Sequence, residues 1–109
     1  MIKLIETLKR KPGMTQDEFT RYWEEIHAPI ILEHIPGLVK YVQNHLVRLN
    51  DREPQYDGVA EVWFKDMDSC RAANKWYLSD QGKVVRDDES RFIDANKQVI
   101  FICEEVVIK

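Results

Sequence analysis

The sequence predicts an α+β fold with four strands and two main helices in the order β, α, β, β, α, β. Three observations carry this. Four segments, Ile2 to Lys9, Leu38 to Leu49, Tyr56 to Lys65 and Gln98 to Ile108, are rich in aliphatic and β-branched residues, as a pleated, half-buried surface requires. Two stretches place apolar residues at helical spacing directly after a capping residue, one from Thr15 and one from Asp66. These stretches follow the first and third strands, which gives two successive βαβ halves.

Each element has a local cause. The first strand ends at Arg10-Lys11-Pro12-Gly13, a turn signal. Thr15 is an N-cap with Glu18 three residues on, as a capping box requires, and Phe19, Tyr22, Trp23, Ile26 and Ile30 then recur at helical spacing. Pro29 has no amide donor and disfavours the α conformation at Ala28, so a kink or break is expected just after His27. The last part of this helix, Ile30 to His34, stops at Pro36-Gly37. The second and third strands are joined by the polar stretch Asn50 to Pro54, which suits a hairpin with a long loop. Asp66 or Asp68 caps the second helix, whose Cys70, Ala73, Trp76 and Tyr77 form one stripe before Gly82 interrupts it. A short helical piece is expected over Asp87 to Asp94, and Gln98 to Ile108 forms the fourth strand.

This order is that of a ferredoxin-like sandwich, an antiparallel four-stranded sheet with both helices on one face. In the third strand Gly58, Ala60, Val62 and Phe64 point one way, and Asp57, Val59, Glu61 and Trp63 the other. The fourth strand is apolar on both sides. Two helices cover only one face, so the apolar residues on the other predict a face-to-face homodimer.

The chain has 109 residues, so residues 1–109 form a single domain with no room for a second core. The net charge is −3 and the basic residues are interleaved with acidic ones, which leaves no continuous face for nucleic acid. Cys70 and Cys103 lie far apart, with no paired cysteines and no histidine at metal-ligand spacing. Both read as buried thiols, and no metal site is expected. The N-terminal residues alternate charged with apolar, and no run approaches about 18 apolar residues. A cytoplasmic protein without a membrane partner is expected.

Several stretches together resemble the EthD family of dimeric α/β-barrel proteins. They are Arg10-Lys11-Pro12-Gly13-Met14-Thr15, Glu18-Phe19, Tyr22-Trp23, His27-Ala28-Pro29, Pro36-Gly37-Leu38, Tyr41 to His45, Tyr56 to Phe64, and Asp88 to Asp94. They span nearly the whole chain in the right order. The resemblance implies a ferredoxin-like protomer and a homodimer in which two four-stranded sheets form a barrel. It also implies cofactor-free chemistry on a hydrophobic or aromatic metabolite, in a pocket between sheet and helices, as in relatives that isomerise, cyclise, decarboxylate or dehydrate.

Three residues are candidates for proton transfer. His27 carries an imidazole that titrates near neutral pH and matches the family's Trp-x-x-x-His-Ala-Pro pattern; the plainer role is a helix cap near the break. His45 shares a strand face with Tyr41 and Gln43, polar groups able to orient a phenol or carboxylate, against a plainer role at the dimer interface. Asp57 could orient a histidine or take a proton. Glu61, on the same strand face as Asp57 and Trp63, is a further ligand contact whose plainer role is ion pairing. Asp88 and Glu89 are explained equally well as a charged cap on a short helix. Trp23, Trp63, Phe64 and Trp76 are first of all core or interface residues that also offer an aromatic wall.

The leading reading is a small molecule-binding protein of a catabolic or biosynthetic route such as aromatic degradation, acting as a cofactor-independent lyase or isomerase. No Gly-rich cradle for a nucleotide is present, and no cofactor is expected. The alternatives are a non-catalytic accessory protein that holds a hydrophobic intermediate, and a haem-binding or monooxygenase-like barrel.

Overall fold

The computed structural model describes residues 1–109. Strand β1 (Ile2–Leu8) leads into helix α1 (Gln16–Tyr22), a single π turn (Trp23–His27) and helix α2 (Ala28–His34). Strands β2 (Leu38–His45) and β3 (Gly58–Phe64) follow, then helix α3 (Met67–Leu78), helix α4 (Lys83–Glu89) and strand β4 (Val99–Glu104). The four strands form one sheet in the order β2-β3-β1-β4, antiparallel throughout. This is the ferredoxin-like α+β arrangement. No helix is long and apolar enough to cross a membrane.

Register assigns the sheet's two faces. Leu4, Glu6 and Leu8 lie opposite Val62, Ala60 and Gly58, and Tyr41, Gln43 and His45 oppose the same three residues from the other side. All of these share the face covered by helices, where β3 is buried at every second residue. One core forms where Phe19 and Trp23 meet Leu8, Ala60, Phe92 and Ile93; a second joins Val62 and Phe64 to Cys70 and Ala73 of α3. The Trp23 indole lies so close to the β3 backbone that a Cβ on Gly58 would stand 2.5 Å from its Cζ3 atom, a distance no side chain tolerates.

The predicted capping box is present, with Glu18 N–H donating to Thr15 Oγ1 at 3.1 Å and Thr15 N–H to Glu18 Oε1 at 2.9 Å. The break expected after His27 does not occur. The chain instead widens into the π turn, in which the Ala28 amide reaches back to the Trp23 carbonyl. Pro29 then occupies the first turn of α2, where its missing N–H costs nothing. The fourth helix runs Lys83–Glu89 rather than Asp87 to Asp94. All four strands are shorter than expected; β4 stops at Glu104, and Val106, Val107 and Ile108 beyond it are exposed.

The other sheet face carries Lys3, Ile5, Val59, Glu61, Trp63, Phe101 and Cys103 with no helix above it. It is not purely apolar. Lys3 donates to Glu61 at 3.0 Å and pairs with Glu105 at 3.1 Å, and the ammonium groups of Lys3 and Lys40 lie 5.1 and 4.7 Å from the Trp63 ring.

Candidate functional site

Helix α3 begins three residues after β3 and returns along the sheet, packing Cys70 and Ala73 on Val62 and Phe64. Beyond it, over β1 and β4, no helix covers the inner face, and Ile100 and Ile102 remain 52% and 58% exposed. The space between α3 and this uncovered part of the sheet is a cavity of about 510 Å³. Its walls are mostly apolar, built from Leu4, Val62, Phe64, Cys70, Ala73, Ile100 and Ile102.

One end is polar. Glu6 on β1, Tyr77 on α3, Glu89 at the end of α4 and Gln98 at the start of β4 all line the cavity. The Tyr77 hydroxyl donates to Glu89 Oε1, and Gln98 Nε2 donates to Glu6 Oε2 at 3.2 Å. Burial pushes the Glu89 carboxyl up to about 7, helped by the neighbouring Asp88 charge and opposed by the Tyr77 hydrogen bond. Burial likewise raises Glu6 to about 7, with Glu89 repulsion adding to it and the Gln98 hydrogen bond opposing. Burial also raises the Tyr77 phenol, which stays protonated. Two carboxyls poised near neutrality can donate or accept a proton without a large free-energy cost in either direction, which is what general acid and base groups need.

The sequence-stated candidates fall in other places, with one exception. Phe64 lines the cavity. His27, 4% exposed, is buried between helices, its ring 4.8 Å from that of Phe92. Its Nδ1 donates to Asp88 Oδ2 at 2.7 Å, while Tyr22 Oη donates to Asp88 Oδ1 at 2.5 Å. Burial lowers the His27 pKa against the pull of Asp88, so the imidazole is held neutral. Asp88 is opposed by burial, but the hydrogen bonds from Tyr22, His27 and Arg91 hold it below the usual carboxylate range.

His45, Gln43 and Tyr41 do form the connected set their shared face implies. His45 Nε2 meets Gln43 Oε1 at 2.8 Å, and the Gln43 amide donates to Tyr41 Oη and to the Trp23 carbonyl, both at 2.9 Å. The second of these bonds ties β2 to a carbonyl of the π turn. The His45 ring lies 5.1 Å from that of Trp23, and Trp23 is 1% exposed. Neither histidine lines the α3 cavity, so they do not meet there as the sequence reading expected.

Asp57 is fully buried and serves the chain itself. Its carboxylate accepts the Arg10 amide at 2.9 Å and the Arg10 guanidinium at 2.6 Å, with Lys9 at 3.5 Å. Glu61 and Trp63 stand on the opposite sheet face, separated from the cavity by the sheet itself. Trp76 is on α3 but turned away from the cavity. What the sequence reading missed is the acidic end. Glu6 falls between Leu4 and Leu8 at the same two-residue period, a charge on an otherwise apolar strand face, and that was the available signal.

A second cavity of about 490 Å³ lies at the β1–α1 turn, lined by Lys9, Arg10, Lys11, Lys97, Glu53 and Asp94 among others. Two of its basic groups already pair, Arg10 and Lys9 both with Glu53. No group of three or more His, Cys, Asp or Glu side chains converges at metal-binding geometry.

Comparison with known proteins matches the same architecture. An ethyl tert-butyl ether D (EthD) family protein from Bacillus halodurans C-125 is 26% identical, superposes with a TM-score of 0.72, and is covered over 97% of this chain and 99% of its own. An EthD-like protein from Ralstonia eutropha JMP134 gives a TM-score of 0.72 at 17% identity, covering 99% and 94%. A dimeric ferredoxin-like protein of unknown function from Thermobifida fusca YX gives 0.65 at 15% identity, covering 94% and 88%. No curated protein matches the sequence. The EthD domain model matches residues 11–96, most of the chain, and the protein therefore belongs to the EthD domain family.

Proposed function

We propose that the protein binds a small, largely apolar or aromatic molecule in the α3 cavity and moves a proton on it, without a cofactor, through Glu6 and Glu89. The observation that carries this reading is the pairing of two carboxyls, both raised to about 7, at the polar end of an apolar cavity. A ligand with a carbonyl or phenol at one end fits this division: its body replaces water along Leu4, Phe64 and Ile102, and its oxygen meets a protonated carboxyl or the Tyr77 hydroxyl. The ionised partner then takes a proton from an adjacent carbon. The proton removed rests on the carboxylate and is returned to the same molecule at another position, so nothing else is consumed. This chemistry is of the isomerase or cyclase type; in a dehydratase-type lyase the proton taken from carbon instead passes to the departing hydroxide, which leaves as water. Tyr41 on β2, whose hydroxyl is raised to about 12 mainly by burial, also feels the charges of Glu6 and Glu89.

The working unit is proposed to be a homodimer. The Thermobifida fusca neighbour is itself described as dimeric, and the helix-free sheet face with its half-exposed Phe101 and Val99 offers the surface to pair.

Purified protein incubated in D2O with cyclic enones, lactones and phenols, and followed by proton NMR, tests the reading. Exchange of carbon-bound protons that is lost in Glu6→Gln and Glu89→Gln supports it. No exchange with any ligand, together with amide shift changes that lie outside β1, α3 and β4, would overturn it. One observation favours a non-catalytic holding role instead: the cavity mouth is open along the exposed β4 edge. Binding in the cavity without exchange would establish that role. Haem ligation has less support, because His27 is buried and neither His27 nor His45 lines the cavity.

A further inference from the structure

Asp88 and Glu89 are neighbours on the last turn of α4, yet their side chains serve different places. Consecutive helical residues point about 100° apart, and here one carboxyl turns toward α1 and the π turn while the other enters the cavity. Asp88 is 1% exposed and anchored by two neutral donors, Tyr22 and His27, with only the exposed Arg91 guanidinium, 3.3 Å away, as a cationic partner. It is a charge that the fold goes to some length to keep. It lines neither the α3 cavity nor the one at the β1–α1 turn, and its oxygens are taken up by the chain's own donors. What it does touch, through one peptide unit, is the position and the field of Glu89.

We infer that Asp88, clamped by His27 and Tyr22, is a positioning residue: it fixes the end of α4 so that Glu89 faces the cavity, and its negative charge opposes the ionisation of Glu89 there. This rests on the reading of the α3 cavity as the ligand site. The other groups facing Glu89 are Tyr77 from α3, Glu6 from β1, Tyr41 from β2 and Arg86 from α4 itself. Of these, Tyr77 and Arg86 favour the ionised form, while Asp88 adds to the burial that opposes it and a charged Glu6 repels it as well. His27 belongs to the same device. A neutral imidazole leaves the Asp88 charge uncancelled, whereas a protonated one would neutralise it and release Glu89 toward ionisation.

The test is a pH titration of the Glu89 side-chain carboxyl by carbon NMR in the full-length protein, with no ligand present. Asp88→Asn keeps the shape and most hydrogen bonds but removes the charge. It is expected to lower the Glu89 pKa by roughly one unit, the size of a carboxylate pair separated by about 8 Å at an effective dielectric of about 20 to 40. Arg91→Gln, at an exposed position, strips Asp88 of its cation and is expected to move Glu89 the opposite way by a smaller amount. A Glu89 titration unchanged in both variants overturns the inference; if Asp88→Asn does not fold, Arg91→Gln decides alone. Because no ligand is present, such a failure leaves the cavity's role in binding and exchange standing, and loss of that role would leave the titration result intact.

Discussion

Replacing Glu6 by glutamine removes one of two carboxyls that the fold holds near a pKa of about 7, and its effect on stability must depend on pH. A carboxyl whose folded pKa lies above its unfolded value binds its proton more tightly in the folded state. Stability is therefore greatest below the unfolded pKa and falls as pH rises toward the folded one. For Glu6 the window runs from the ordinary 4.5 of an unfolded chain to about 7. A shift of this size corresponds to about 3 kcal/mol at full burial, and partial exposure of the side chain with its coupling to Glu89 reduces that to about 2 kcal/mol. Glutamine has no charge to bury, so Glu6→Gln should gain about 2 kcal/mol relative to the parent at pH 8 compared with pH 4. With a urea slope of roughly 1.5 kcal/mol per molar, the gain appears as a midpoint shift of about 1 M. Tryptophan fluorescence during urea titration at fixed protein concentration measures it, Trp23 being buried. His27, whose pKa is lowered, acts in the opposite direction below its ordinary 6.5. It acts equally in both proteins, so the difference between them isolates Glu6. A difference that is flat from pH 4 to pH 8 would refute the claim that this carboxyl is held neutral by burial, and with it the acid-base role of the cavity.

Two further outcomes are expected. Gly58→Ala places a Cβ 2.5 Å from Trp23 Cζ3 and should cost roughly 1 to 3 kcal/mol through overpacking, visible as an earlier thermal midpoint and an altered near-ultraviolet circular dichroism signal. Phe101→Asp introduces a charge at a half-exposed position of the helix-free sheet face, and light scattering should show the 13.0 kDa monomer mass with the fold retained; a persistent dimer would place the interface elsewhere.

The elements legible in the sequence were those whose causes are local. Thr15 and Glu18 announce a helix start within four residues, as read, and the alternation from Gly58 to Phe64 announces two faces on β3, of which the one carrying Gly58, Ala60, Val62 and Phe64 is buried. Pro29 was read correctly as a residue that cannot donate, but the conclusion drawn was too narrow. A helix has two ways to accommodate a missing donor, to break or to change its ladder. The choice here goes with non-local contacts: the Trp23 carbonyl, which accepts the Ala28 amide across the wider π turn, also accepts from Gln43 of β2, twenty residues away. Strand lengths failed for a related reason. The sequence turns apolar again at Val106 to Ile108 after Glu104 and Glu105, yet β1 offers no partner beyond Ile2, so pairing stops at Glu104.

The proposed site is harder to read because the chemistry proposed for it rests on residue types that are ordinary everywhere else. Histidine draws the eye in a sequence since its unperturbed pKa is near neutral, whereas a glutamate reaches neutrality only when the fold removes its water. Glu6 and Glu89 are 83 positions apart, and nothing in either neighbourhood states that a helix end and a mid-strand position will share one cavity. The histidines took other parts for an equally physical reason. A neutral imidazole is one of the few polar groups that can be buried with both an aromatic neighbour and a carboxylate partner satisfied, and His27 does both at once with Phe92 and Asp88. The consequence is a division of labour across one peptide bond: Asp88 spends its hydrogen-bonding capacity inside the core, and Glu89, left with Tyr77 as its one strong donor, keeps a free oxygen for whatever enters the cavity.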